Sequence, residues 1–158
     1  MSIYNLDSYQ PLAALGHLMG KVRGQLLTAL AADLIQDEVL GSLEITAAQF
    51  IVLVRLANNS RPVAISELCK QDAYDAGAMT RMLDRLTAKG LIHRSRSAED
   101  RRVVLLELTP AGRSAYPRLR EVSMRVMNRS LDDFSAEEAR QLESLLLRMS
   151  RNLSEPQP

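Results

Sequence analysis

Tryptophan is absent from the chain, and aromatic residues amount to four Tyr and two Phe in 158 residues. The core must therefore be packed from Leu, Val, Ile, Met and Ala rather than from rings. A single cysteine, Cys69, excludes an internal disulfide framework and fits a reducing cytoplasm. The two histidines, His17 and His93, lie far from each other and from Cys69 in the chain. A tetrahedral zinc site needs several such ligands together, so neither a metal nor a cofactor is expected. No apolar run reaches the ~18 residues of a membrane span. The opening MSIYNLDSYQ lacks the basic-then-apolar pattern of a signal peptide. There is no nucleophile motif, no phosphate-cradling glycine loop and no metal cluster, so the chain is not expected to be an enzyme.

An excess of charge is also missing: 20 Lys and Arg face 19 Asp and Glu, for a net charge of +1. Its distribution is uneven, however. Between Ala76 and Arg102 there are seven positive side chains (Arg81, Arg85, Lys89, Arg94, Arg96, Arg101, Arg102) against three negative ones (Asp84, Glu99, Asp100). A basic patch on a near-neutral protein marks a candidate nucleic-acid face.

What is present is mostly helical periodicity. From about Pro11 to Glu38, Leu12, Leu15, Met19, Val22, Leu26 and Ala29 alternate steps of three and four, which predicts one long helix. Leu18, Leu27, Leu30 and Leu34 widen its stripe, so a partner chain is the economical cover. Thr46-Ala-Ala-Gln49 is a capping box, flanked by Ile45 and Phe50 as a hydrophobic staple, and opens a second, strongly apolar helix ending near Asn58. A short helix is expected over Ile65–Gln71, then a turn at Asp72–Asp75, then a helix ending at Lys89 with Gly90 as its left-handed cap. Strands over Leu91–Ser95 and Val103–Leu108 flank a charged hairpin tip. Thr109-Pro110 starts a helix to about Ser130, and the capping box Ser135-Ala-Glu-Glu138 starts the last one. This order makes a mainly α protein with a minor β component: a winged helix-turn-helix with a helical dimerisation region.

On a helical wheel of the 76–89 segment, Met79, Met82, Leu83 and Leu86 share one side. Gly77, Arg81, Asp84, Arg85 and Ala88 lie opposite. Small residues near the start and two arginines one turn apart suit a helix that enters the major groove. An arginine at the hairpin tip, Arg101 or Arg102, suits a narrow minor groove, and Asp100 can hold it in position.

Three segments in order resemble the MarR family of bacterial regulators: Met79 through Arg94 with its Leu86-Thr-Ala-Lys-Gly-Leu91, the wing Glu99-Asp-Arg-Arg102, and Leu108-Thr-Pro-Ala-Gly-Arg113. The resemblance spans roughly residues 10–152. It implies a homodimer built from the first, fifth and sixth helices, bound to double-stranded DNA at a pseudo-palindromic operator. Gly77, Thr80, Arg81 and Arg85 match the usual recognition-helix positions, Asp100 and Arg102 match the wing motif, and Arg101 is added at the tip. The implied organisation is an N-terminal dimerisation helix over 1–40, a winged helix-turn-helix lobe over 43–108 and C-terminal dimerisation helices over 109–153.

The resemblance also implies repression relieved by a small aromatic or phenolic carboxylate held between the lobes and the dimer region. Three side chains could meet it: Arg23 beside the apolar stripe of the first helix, Arg55 as the only charge in its apolar helix, and His17. The guanidinium fork matches a carboxylate bidentately. The alternative is a DNA-binding regulator with no small effector, or one that senses oxidants through Cys69, although Cys69 lies on the apolar side of its helix with Ile65 and Leu68.

Overall fold

The computed structural model describes residues 3–7, 9–72 and 76–154. The expected turn at Asp72–Asp75 falls in part on Ala73, Tyr74 and Asp75, which lie outside the described residues. The elements are α1 (Leu15–Gln36), α2 (Glu38–Ser42), α3 (Ala47–Ala57), β1 (Val63–Ala64), α4 (Ile65–Asp72), α5 (Ala76–Ala88), β2 (Ile92–Arg96), β3 (Val104–Leu108), α6 (Pro110–Ser130) and α7 (Ala136–Ser154). The chain forms two units, 1–126 and 127–158.

The expected first helix is shorter at both ends. Nothing between Gln10 and Leu15 offers a capping hydroxyl or carboxylate, and α1 begins at Leu15 behind Ala14 without a side-chain cap. At the other end Asp37 leaves helical geometry at ψ 123°. Its carboxylate accepts hydrogen bonds from the Val39 and Leu40 amides at 3.1 and 3.0 Å, which starts α2 as a separate helix. The same carboxylate receives Arg118 Nε of α6 at 2.8 and 2.9 Å. Burial opposes ionisation of Asp37, but the two amides and the guanidinium outweigh it and hold the carboxyl below its ordinary value.

Both capping boxes form. In the first, Gln49 N donates to Thr46 Oγ1 and Thr46 N donates to Gln49 Oε1, each at 3.2 Å. In the second, Glu138 Oε2 accepts from Ser135 N at 2.8 Å while Glu138 N donates to Ser135 Oγ at 3.2 Å.

The sheet is antiparallel with order β1-β3-β2. Ile92 pairs with Leu108 and Arg96 with Val104 across the hairpin. The third strand, β1, was not foreseen: two residues are too few to show a period of two, and only Val63 opposite Leu106 reveals it. One core joins Leu30 and Leu34 of α1, Leu53 of α3, Leu68 of α4, Met79 and Leu83 of α5, Leu106 of β3 and Leu119 of α6. Each such side chain contributes roughly 1.5–3 kcal/mol on leaving water.

A clasp sets α5 and the hairpin against α6. Gly90 ends α5 at φ +68°, a left-handed position that glycine takes without strain. Thr109 Oγ1 donates to the Gly90 carbonyl at 2.6 Å and accepts from Gly112 N at 3.1 Å, while Thr109 N donates to the Leu91 carbonyl at 3.1 Å. Gly112 is buried there, and a Cβ on it would collide with the Leu91 carbonyl oxygen and stand 3.2 Å from Leu108 Cδ2. Lys89, beside that helix end, reaches across the fold: its Nζ donates to the Leu43 and Glu44 carbonyls at 2.7 and 2.6 Å.

Gly112→Ala should destabilise the protein by about 1–3 kcal/mol through overpacking, read as a lowered thermal midpoint. Loss of the Asp37 carboxylate in Asp37→Ala should cost about 1–2 kcal/mol at neutral pH. Because the carboxyl titrates lower in the folded chain, that contribution is full above its ordinary value of 3.8 and is lost as pH falls through the lowered one. The gap between the melting curves of the two proteins should therefore begin to narrow below about pH 4 and close only once pH has fallen past the lowered value.

Candidate nucleic-acid interface

The apolar side of α5 is consumed by the core: Met79, Met82, Leu83 and Leu86 are all buried. The opposite side, with Gly77, Thr80, Arg81, Asp84, Arg85 and Ala88, is exposed. The amphipathic split expected from the wheel thus holds residue by residue. Among the described residues, the side chains of Arg81 and Arg85 make no hydrogen bond or ion pair, so both guanidinium groups keep their donors for an outside acceptor. Thr80 is engaged within the chain.

On the helical wheel Asp84 shares its face with Arg81 and Arg85. It is paired across the fold, with its Oδ1 2.7 Å from Arg94 Nη2 of β2. The Asp84 side chain is 59% exposed and that of Arg94 29%. The contact is held by charge rather than by a well-aligned hydrogen bond, since Arg94 Nε and Nη2 are shielded from solvent without a directed acceptor. Arg94 also lines an open cavity of about 300 Å³ with Ile65, Ser95, Arg96 and Val104. Sequence reasoning counted Arg94 only as part of the basic patch. Its signal was strand alternation: Arg94 lies two residues from Ile92 and so shares a sheet face with a buried side chain.

The hairpin tip is a built turn. Ser97 N donates to the Val103 carbonyl at 3.0 Å and Val103 N to the Asp100 carbonyl at 2.9 Å. Ser97 Oγ accepts from the Glu99 and Asp100 amides at 3.2 and 3.4 Å. Asp100 Oδ1 accepts from the backbone N–H of Arg102 at 2.9 Å, so it fixes the residue's main chain rather than its guanidinium. Arg96 Nη1 donates to the Arg101 carbonyl at 2.9 Å, which ties the strand to the tip. Asp100, Arg101 and Arg102 are exposed, and among the described residues the guanidinium groups of Arg101 and Arg102 have no hydrogen-bond or ion-pair partner. An ordered loop that presents two unpaired guanidinium groups loses little entropy on meeting a polyanion.

His17 and Arg23 are exposed on α1, and among the described residues neither side chain makes a hydrogen bond or ion pair, whereas Arg55 is half-buried and engaged. Cys69 is half-buried and packs against the core. Among the described residues, no cluster of three His, Cys, Asp or Glu is placed to hold a metal, and no helix is long and apolar enough to cross a membrane.

Comparison with known proteins places this geometry. A model of the MarR family matches residues 45–104. The chain is 37% identical over 139 residues to the multiple antibiotic resistance protein MarR of Escherichia coli (strain K12), covering 86% of this chain and 88% of that protein. It is 31% identical over 115 residues to the organic hydroperoxide resistance transcriptional regulator of Bacillus subtilis (strain 168), covering 73% and 76%. Among solved structures, a cysteine-to-serine mutant of MarR from E. coli, complexed with operator DNA, superposes with a TM-score of 0.73 at 30% identity, covering 89% of this chain and 99% of that one.

Proposed function

The chain belongs to the MarR family, whose members are transcription regulators and not enzymes, and on that premise we propose that it is a homodimeric repressor that binds a pseudo-palindromic operator and releases it to a small aromatic carboxylate. The observation that carries DNA binding is the pair Arg81 and Arg85, exposed and unpaired on a helix whose other side is locked in the core. In this reading α5 enters the major groove with Gly77 and Thr80 at its leading end. Arg101 and Arg102 reach the minor groove from the wing, and Asp100 sets the wing's main chain. A solved MarR complexed with operator DNA supports DNA as the partner.

Dimerisation over 1–40 and 109–153 is supported by apolar surface that a single chain leaves open. On α1, Leu15, Leu18, Met19 and Val22 are exposed. On α7, which buries none of its residues, Leu142, Leu145, Leu146 and Leu147 are exposed. Gly16, Gly20 and Gly24 recur every fourth residue along the open half of α1, with no atom within 4 Å of where their Cβ would be. Glycine inside a helix costs about 1 kcal/mol relative to alanine, so three on one face favour close approach of another backbone.

For the effector, the cavity beside Arg94 offers what a carboxylate requires: solvent-shielded guanidinium nitrogens without a directed acceptor, next to Ile65 and Val104 for a ring. His17 and Arg23 stand on the open face of α1, where a partner chain would complete their surroundings, and Arg55 remains with them as a second anion position.

Binding to DNA flanking the protein's own gene, against a scrambled duplex, should be selective and fall steeply with salt. Arg102→Ala should weaken it by about 1–3 kcal/mol while the dimer stays folded, and unchanged affinity would remove the wing from the mechanism. Gly20→Leu should raise the dimer dissociation constant roughly tenfold or more in sedimentation equilibrium, the equivalent of about 1–3 kcal/mol of overpacking. A dimer tightened by better helix propensity would show that no backbone approaches there.

A further inference from the structure

The recognition face carries a negative charge among its arginines, at the position where it would do most harm to phosphate binding. Asp84 follows Arg81 by three residues, immediately precedes Arg85 and is largely exposed. Solvent alone would satisfy a carboxylate so open, so burial does not force it to take a partner. It has one nonetheless. The partner is Arg94, on a different element, more covered than Asp84 and 2.7 Å away.

We propose that Arg94 is a positioning residue for DNA recognition: it masks the charge of Asp84, so that Arg81 and Arg85 present an undiluted positive face. With Arg94 in place, the four side chains carry a net charge of +2, and without it +1. This rests on the DNA-binding reading above and adds to it the residue that keeps the recognition face positive.

The test is a double-mutant cycle on the full-length protein, measured against the duplex flanking its own gene at two salt concentrations, with thermal melts confirming that all four proteins are folded at the assay temperature. At low salt, Arg94→Gln should weaken binding roughly tenfold, and Asp84→Asn in the same chain should restore it at least to the affinity of the starting protein, whereas additive effects would leave it about threefold weaker. Asp84→Asn alone should bind about threefold tighter, because it leaves Arg94 unopposed. The deficit of Arg94→Gln relative to the starting protein should shrink at the higher salt, since masking acts through a screened field. An equal loss from Arg94→Gln in both backgrounds would assign Arg94 to phosphate itself and overturn the proposal. A deficit indifferent to salt would reduce the pair to a structural tie and overturn it too. Should Arg94→Gln fail to fold, weaker binding by Asp84→Asn alone would overturn it, by making the carboxylate a direct contact. If the starting protein binds no DNA, the DNA-binding reading falls, and this inference falls with it. If it binds selectively but the cycle is additive, only this inference falls.

Discussion

The hydroxyl of Thr109 is the point on which the rest of the DNA-facing lobe is hung. It donates to the Gly90 carbonyl, two residues past the end of α5, and accepts from the amide of Gly112 in the first turn of α6. Free amides at a helix start are costly when partly buried, and this hydroxyl satisfies one of them while it fixes the turn that leaves α5. That economy is possible only because Gly90 turns left-handed and Gly112 carries no side chain, so that α6 can lie against the Leu91 carbonyl. The spacing of Lys89-Gly-Leu91 and Leu108-Thr-Pro-Ala-Gly112 is thus the imprint of a helix, a strand and a second helix meeting within a few ångströms.

Once that junction is made, the rest of the interface has little freedom. The buried side of α5 cannot rotate without expelling Met79 and Leu83 from the core. Lys89 ties the same helix end to the Leu43 and Glu44 carbonyls ahead of α3, where Glu44 takes a left-handed φ of 48°. Arg81 and Arg85 are therefore held outward by the packing behind them, and the wing is held by its own turn. Rigid presentation is the useful property for a binding surface of long, flexible arginines, because the scaffold has already lost the entropy that docking would otherwise cost.

Charge is distributed by the same logic. Among the described residues, the side chains of Arg81, Arg85, Arg101 and Arg102 on α5 and the wing are left unpaired, while three carboxylates are retained by internal partners: Asp37 by Arg118 and two amides, Asp84 by Arg94, Asp100 by the Arg102 amide. A near-neutral chain can in this way show a distinctly basic face. Composition alone conceals that outcome, because a count of charges does not register which of them are occupied.

Much of this architecture was legible in the sequence because it is local. The capping boxes at Thr46–Gln49 and Ser135–Glu138, the glycine stop at Gly90 and the apolar side of α5 are each written within a turn or two of helix, and each formed. The exposed side of α5 followed from the same periodicity. What the sequence did not disclose depends on residues distant in the chain. The Asp37 carboxylate takes up Arg118, 81 residues away, and β1 exists only through its pairing with β3. The reach of Lys89 to Leu43 and the diversion of Asp84 from its neighbouring arginines to Arg94 are of the same kind. By itself, then, the sequence determined which segments are helical, where they start, and which side of each is apolar, since backbone hydrogen bonding and side-chain period are short-range. Only the tertiary structure decided which charges are free and which are spent, because an ion pair depends on where packing has set two backbones, and that is a property of the whole core.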